Sequence, residues 1–184
     1  MILDIEPRTD EEAEVQRQGN VGVVWGTPTT IDHARRVGGG GLYILEKTLD
    51  GGKTWFPDYV GQTRNFDRRL AVHGRTRAVS GPAAQFRARL GHVTDLAPTT
   101  SLASLSPSAR AEHLRKLRLT TEHGVIRALL RSGFNLLANR SSIRPLLGAG
   151  TGLSIQHVGA PTYLPASQVT AGSLYEGETA WRHV

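Results

Sequence analysis

Residues 42–61 constrain the fold more than any other stretch of the chain. Two runs rich in β-branched and aromatic residues, LYILEKTL (42–49) and TWFPDYVG (54–61), flank Asp50-Gly51-Gly52-Lys53, whose residues tolerate a tight reversal. The pattern predicts an antiparallel hairpin. Pro57 and Asp58 mark a bulge, because proline cannot donate to a strand ladder.

Other elements are read around that hairpin. VGVVW (21–25) predicts a strand that ends at the Gly26/Pro28 break, and Thr30 caps a short helix, IDHARRV, stopped by the run Gly38–Gly41. Asn65 is the expected N-cap of a further helix, with Asp67 in its first turn and Phe66 and Leu70 on one face. PAAQFRARL (82–90) reads as another short helix and HVTDL (92–96) as a third strand. A loop over 97–108 ends at Ser106-Pro107, a helix start. The helix it opens is expected to run to Arg131, with a break near Thr120-Thr121 or Gly124 and a stop at Ser132-Gly133. The tail from Gly148 holds short β-like pieces. The class this predicts is α+β: one domain with a small, mostly antiparallel sheet flanked by helices.

Composition narrows the chemistry. A chain of 184 residues without cysteine forms no disulfide, thiolate metal site or cysteine nucleophile. No apolar run approaches the roughly 18 residues of a membrane span, and the acidic start, with Asp4, Glu6, Asp10, Glu11, Glu12 and Glu14, argues against a secretory signal. The net charge of +6 is concentrated. Between Arg64 and Arg144 fifteen Lys and Arg face four acids, and fourteen of the fifteen are arginine, whose planar fork suits phosphate. That imbalance points to a polyanionic partner, with Arg64, Arg68, Arg75, Arg77, Arg87 and Arg89 as candidate nucleic-acid contacts.

The polar residues of 41–73 form a constellation. In a hairpin, Tyr43 and Tyr59 fall near the same end of paired strands. Arg69 and His73, spaced i and i+4, share one face of the following helix. Two phenols, a guanidinium and an imidazole suit phosphodiester cleavage: a phenol or imidazole moves a proton while arginine neutralises the phosphate. Glu122 is a rare acid in the basic stretch, beside an apolar helix face. It is the candidate ligand for one hard divalent cation, with Asn135 in support. His33, His92, His113, His123 and His157 read as structural or surface residues, His123 standing out only because it adjoins Glu122.

The order Gly41-Leu42-Tyr43, Tyr59-Val60-Gly61, Arg69, His73, Glu122 and Asn135 resembles the GIY-YIG nuclease family. Its most specific piece is YVGQTRNFDRRLAVH, and EHGVIRALLRSGFN matches the later helix; the resemblance covers 41–73 and 120–136. It implies a GIY-YIG-like core over 38–140, with an insertion at about 74–119 and extensions over 1–37 and 141–184. It further implies that Tyr43, Tyr59 or His73 helps deprotonate the attacking water and that Arg69 binds the scissile phosphate. Glu122 would hold Mg²⁺ or Mn²⁺, Asn135 would be a supporting residue, and Gly61 would let the backbone run close to the helix start. The function implied is a metal-dependent endonuclease hydrolysing DNA, restriction-like or a toxin, cytoplasmic or delivered to a target cell. Its partners would be DNA, with no membrane; a second copy if it is a restriction enzyme; and an immunity protein if it is a toxin. A non-catalytic nucleic-acid-binding protein and a nuclease acting on RNA are the alternatives.

Overall fold

The computed structural model describes residues 19–77, 85–96, 104–136 and 152–171. The acidic lead-in over 1–18 and the tail beyond 171 lie outside them. Among the described residues no helix is long and apolar enough to cross a membrane.

The fold is α+β, built on a mixed sheet. Its strands are β1 (Gly19–Trp25), β2 (Thr29–Thr30), β3 (Gly41–Thr48), β4 (Phe56–Thr63), β5 (Gln85–Asp95), β6 (Gly152–Val158) and β7 (Ser167–Ala171). Their spatial order is β4-β3-β5-β1-β6-β7, with β2 paired beside β1 on β5. Every pairing is antiparallel except β1 with β6. The helices among the described residues are α1 (Ile31–Arg35), α2 (Phe66–Arg77) and α3 (Pro107–Arg131). Strands from both the N-terminal and the C-terminal stretches therefore share one sheet with the hairpin.

Strand alternation divides the core in two. Leu42, Ile44 and Val60 face Val125, Ile126 and Leu129 of α3, while Tyr43, Leu45 and Tyr59 face Phe66 and Leu70 of α2 on the other side. The hairpin has its bulge where the sequence predicts one. Leu45 opposes Tyr59 and Glu46 opposes Pro57, which leaves Asp58 as the extra residue. The expected caps also form: Thr30 Oγ1 accepts from the His33 backbone N–H at 3.2 Å, and Ser106 Oγ from Ala109 N–H at 3.3 Å.

Two expectations are corrected. The stretch expected to be a short helix over 82–90 is strand from Gln85 onward, continuous with the predicted third strand as β5. Alanine and arginine favour helices, but the segment alternates: Phe86, Ala88 and Leu90 oppose odd-numbered positions of β3 on the α2 side, and Arg87 and Arg89 project to the other face. Tertiary pairing overrides propensity there. The break expected in the long helix is absent, and α3 runs unbroken for 25 residues. The Thr121 hydroxyl donates to the Leu117 carbonyl at 2.7 Å, so it finds a partner inside the helix instead of diverting the backbone.

Glu46 is fully buried on the α3 side of β3. Arg87 Nε donates to one carboxylate oxygen, while Arg89 Nε at 3.2 Å and the Tyr163 hydroxyl at 2.5 Å donate to the other. Arg87 also lies over the Trp55 ring, 4.1 Å from its centroid, and Arg89 reaches the Gly26 carbonyl at 3.0 Å. Because Tyr163 lies between β6 and β7, this carboxylate ties the C-terminal hairpin to the middle of the sheet. Burial and the Glu46 charge hold the Tyr163 phenol well above its ordinary pKa.

His157 is the matching feature on β6. Its Nδ1 accepts from Trp25 Nε1–H at 3.0 Å, which fixes the ring as the neutral tautomer. Burial lowers its pKa to about 4. A folded-state pKa below the unfolded value means stability that is present above about pH 6.5 and lost as pH falls toward 4. Wild type should lose about 2 kcal/mol between pH 7 and pH 5 that His157→Gln does not lose, read by urea unfolding. Parallel pH curves for the two proteins would contradict this role.

Candidate active site

The site begins with a cross-strand pair. Tyr43 of β3 lies directly opposite Gly61 of β4. A Cβ at Gly61 would overlap the Tyr43 hydroxyl and ring and stand 2.7 Å from Tyr59 Cε1. The glycine therefore makes room for the Tyr43 phenol across the strand, and does not serve an approach of the backbone to the helix start. Gly41 has a related role: a Cβ there would overlap the Gly91 carbonyl of β5 and stand 3.2 Å from Phe66 Cζ. Both motif glycines are thus explained by close contacts.

Helix α2 delivers the polar partners. Thr63 and Asn65 form a compact turn after β4, and Asn65 Oδ1 accepts from the Arg68 N–H at 3.0 Å as the helix opens. Phe66 and Leu70 anchor the buried face, leaving Arg69 and His73, one turn apart, toward the tyrosines. Arg69 Nε donates to Tyr43 Oη at 3.1 Å and Arg69 Nη2 to Tyr59 Oη at 3.3 Å. His73 Nε2 is 3.0 Å from Tyr43 Oη, and its ring lies 4.8 Å from the Tyr59 ring, centroid to centroid. The two tyrosine rings are 5.9 Å apart.

Arginine only donates, so Tyr43 Oη accepts from Arg69, while the direction of its hydrogen bond with His73 Nε2 is set by the imidazole tautomer. Burial, and then the neighbouring Tyr59, push the Tyr43 phenol well above its ordinary pKa against the pull of Arg69. The same phenols push the Arg69 guanidinium further up, so it remains charged.

Glu122 comes from the opposite face of the sheet. It lies on α3, but β4 is the edge strand among the described residues, and the carboxylate accepts from the Gln62 backbone N–H of that strand. Only 7% exposed, it has its pKa raised to about 7 by burial, while the charge of Arg69 and the Gln62 N–H oppose the rise. The site thus straddles the edge of the sheet: Tyr43, Tyr59, Arg69 and His73 on one side, Glu122 wrapping in from the other.

Of the six residues expected to act together, Tyr43, Tyr59, Arg69 and His73 are joined by hydrogen bonds and ring contacts, and Glu122 lies in the field of Arg69. Asn135 lies past the end of α3. The chain turns back after α3 with Phe134 N–H donating to the Leu129 carbonyl at 3.1 Å; Leu136 enters the core and Asn135 stays exposed. Among the expected nucleic-acid contacts, Arg64 and Arg68 are exposed at the start of α2, beside the site. Arg87 and Arg89 are engaged with Glu46, and the side chains of Arg75 and Arg77 lie outside the described residues. His123 is half-buried next to Glu122, and His113 pairs with Asp95 at 3.0 Å.

Sequence reasoning missed Arg118, one turn before Glu122 and half-buried, and the Glu46 cluster. A signal for the latter exists: Glu46 falls in register with Leu42 and Ile44, an acid at a core position.

Among the described residues no group of three or more His, Asp or Glu side chains is placed to hold a metal ion. The donor set fits a hard cation held by the Glu122 carboxylate, with water and phosphate oxygens as its other ligands, and not a protein cage. Compared with known proteins, the chain matches no family model, no curated protein and no solved structure.

Proposed function

We propose that the chain is a divalent-cation-dependent nuclease of GIY-YIG type that hydrolyses phosphodiester bonds in DNA. The observation that carries the reading is the convergence of Tyr43, Tyr59, Arg69, His73 and Glu122, from four separate elements, at the edge of β4. The antiparallel trio β4-β3-β5, with α2 between β4 and β5 in the chain and α3 after β5, supports it as the frame such a site needs.

In this reading the scissile phosphate sits against the exposed Arg69, which spends two of its five donors on the phenols and offers others to phosphate oxygens. A water oxygen attacks phosphorus and the bond from phosphorus to the leaving sugar oxygen breaks. The water proton passes to the Tyr43–His73 pair, whose Oη and Nε2 are hydrogen-bonded at 3.0 Å, with the neutral imidazole as the final acceptor in this reading. Tyr59 keeps Arg69 aimed. Glu122 would hold Mg²⁺ or Mn²⁺, which supplies positive charge at the leaving oxygen. Holding the cation would require the carboxylate form of Glu122, which burial disfavours.

Supercoiled plasmid tests the reading. Wild type in Mg²⁺ should nick or linearise it, and EDTA should abolish cleavage. Arg69→Ala should cut at least about 100-fold more slowly, the cost of one electrostatic stabiliser of the transition state. Wild type inert with Mg²⁺ and Mn²⁺ on duplex and single-stranded DNA would sink the proposal.

A further inference from the structure

Arg118 sits in an uncomfortable position for a cation. It is half-buried, and its Nε is shut off from water with no hydrogen-bond partner. Burial and the like charge of Arg64 both disfavour its protonated form, and no acid among the described residues opposes them. An arginine left this way costs stability unless an anion completes it.

The surroundings define where that anion would be. Arg118 precedes Glu122 by four residues and so shares its side of α3. Arg64 directly follows β4, two residues after Gln62, whose N–H holds Glu122. The twelve-residue helix α2 opens just beyond, capped by Asn65, and its positive end adds to the field. Asp67 pairs with Arg35 at 3.0 Å, and Glu112, which also feels the charge of Arg64, is held by Arg115 at 2.6 Å.

We infer that Arg64 and Arg118 form a second anion site beside Glu122, which takes a phosphate group of the strand next to the one held by Arg69. The inference deepens the nuclease reading and rests on it for the identity of the ligand. Its chemistry is that of a phosphate oxyanion; a nucleic-acid backbone and free phosphate are its two sources. The clamp would fix the register of the strand, so that a phosphate seated between the two guanidiniums places its neighbour against Arg69. Arg118 acts here as a binding residue, apart from the proton-transfer group.

The test needs no turnover. In EDTA, inorganic phosphate should raise the melting temperature of wild type saturably beyond chloride of matched ionic strength. Arg118→Met should melt higher than wild type without phosphate, because the lone charge is gone, and should lose the saturable response. Arg64→Gln, at an exposed position where folding is not at stake, should weaken that response. Anisotropy with a short single-stranded oligonucleotide in EDTA should show about tenfold weaker binding by Arg118→Met, the effect of one lost charge-assisted contact, with a salt slope lower by about one. A phosphate response in Arg118→Met equal to that of wild type overturns the site. A phosphate response lost in the variant with unchanged oligonucleotide affinity overturns the nucleic-acid assignment. These results separate from the nuclease reading: a protein that cleaves nothing yet shows the Arg118 differences keeps the anion site and loses the enzyme. One that cleaves in Mg²⁺ with a phosphate-responsive Arg118→Met does the reverse.

Discussion

Gly61→Ala should abolish DNA cleavage while leaving the fold recognisable. The new methyl group would occupy the space of the Tyr43 hydroxyl and press on Tyr59 Cε1. Neither ring has an easy escape: Tyr43 is fully buried, and Tyr59 nearly so, against Phe66, Leu70 and Leu90. The overpacking should cost about 1–3 kcal/mol of stability. The larger effect is on the reaction, because Tyr43 is the hub that Arg69 and His73 both bond. Moving that oxygen by an ångström breaks both hydrogen bonds, and misplacement on that scale costs about 100-fold in rate. Plasmid cleavage and circular dichroism measured together check this. A Gly61→Ala variant that is folded and as active as wild type would show that the Tyr43 hydroxyl is not where the chemistry happens.

Glu46→Ala should destabilise the protein strongly. The substitution strands Arg87 and Arg89 without their carboxylate and leaves the Tyr163 hydroxyl without an acceptor in the core. Breaking a buried ion pair from one side costs about 3–5 kcal/mol. The low end applies, since the Arg87 side chain is 28% exposed and can regain water. The loop that carries Tyr163 should loosen first, because its hydroxyl is what joins that loop to β3. Urea unfolding gives the size of the loss. Amide exchange should show β6 and β7 opening before the hairpin does. A cost under about 1 kcal/mol would mean the cluster is not a structural tie.

How much of this was legible in the sequence depends on distance along the chain. Tyr43, Tyr59, Arg69 and His73 span only 31 positions, over a hairpin and the helix that follows it. Local pairing and the i, i+4 rule are enough to bring them together. The caps at Thr30 and Ser106 and the bulge at Asp58 were legible for the same reason: each is decided within a few residues. Glu122 was accessible by another route, as a scarce acid beside an apolar helix face and through the family resemblance. How it reaches the site was not. That depends on β4 being an edge strand with a backbone N–H open to a carboxylate from the far side, a property of the assembled sheet.

The failures share one cause. β5 looked helical because its alanine and arginines were weighed by propensity, while its period-2 alternation answers to β3, some forty residues earlier. Arg87 and Arg89 looked like solvent-facing phosphate contacts because nothing local reveals that Glu46 opposes them. The parallel pairing of β1 with β6 joins segments more than 130 residues apart, and no short-range signal announces it.

The most direct measurement on the proposed site is the single-turnover cleavage rate of a labelled DNA duplex against Mg²⁺ concentration, for wild type and Glu122→Gln. The glutamine keeps the size of the side chain and an acceptor for the Gln62 N–H while removing the charge that would bind a cation. The expected result is a wild-type rate that rises and saturates with Mg²⁺, and a variant at least about 100-fold slower whose rate does not saturate over the same range. A variant that cleaves at the wild-type rate with the same Mg²⁺ dependence would contradict the assignment of metal-dependent chemistry to this site.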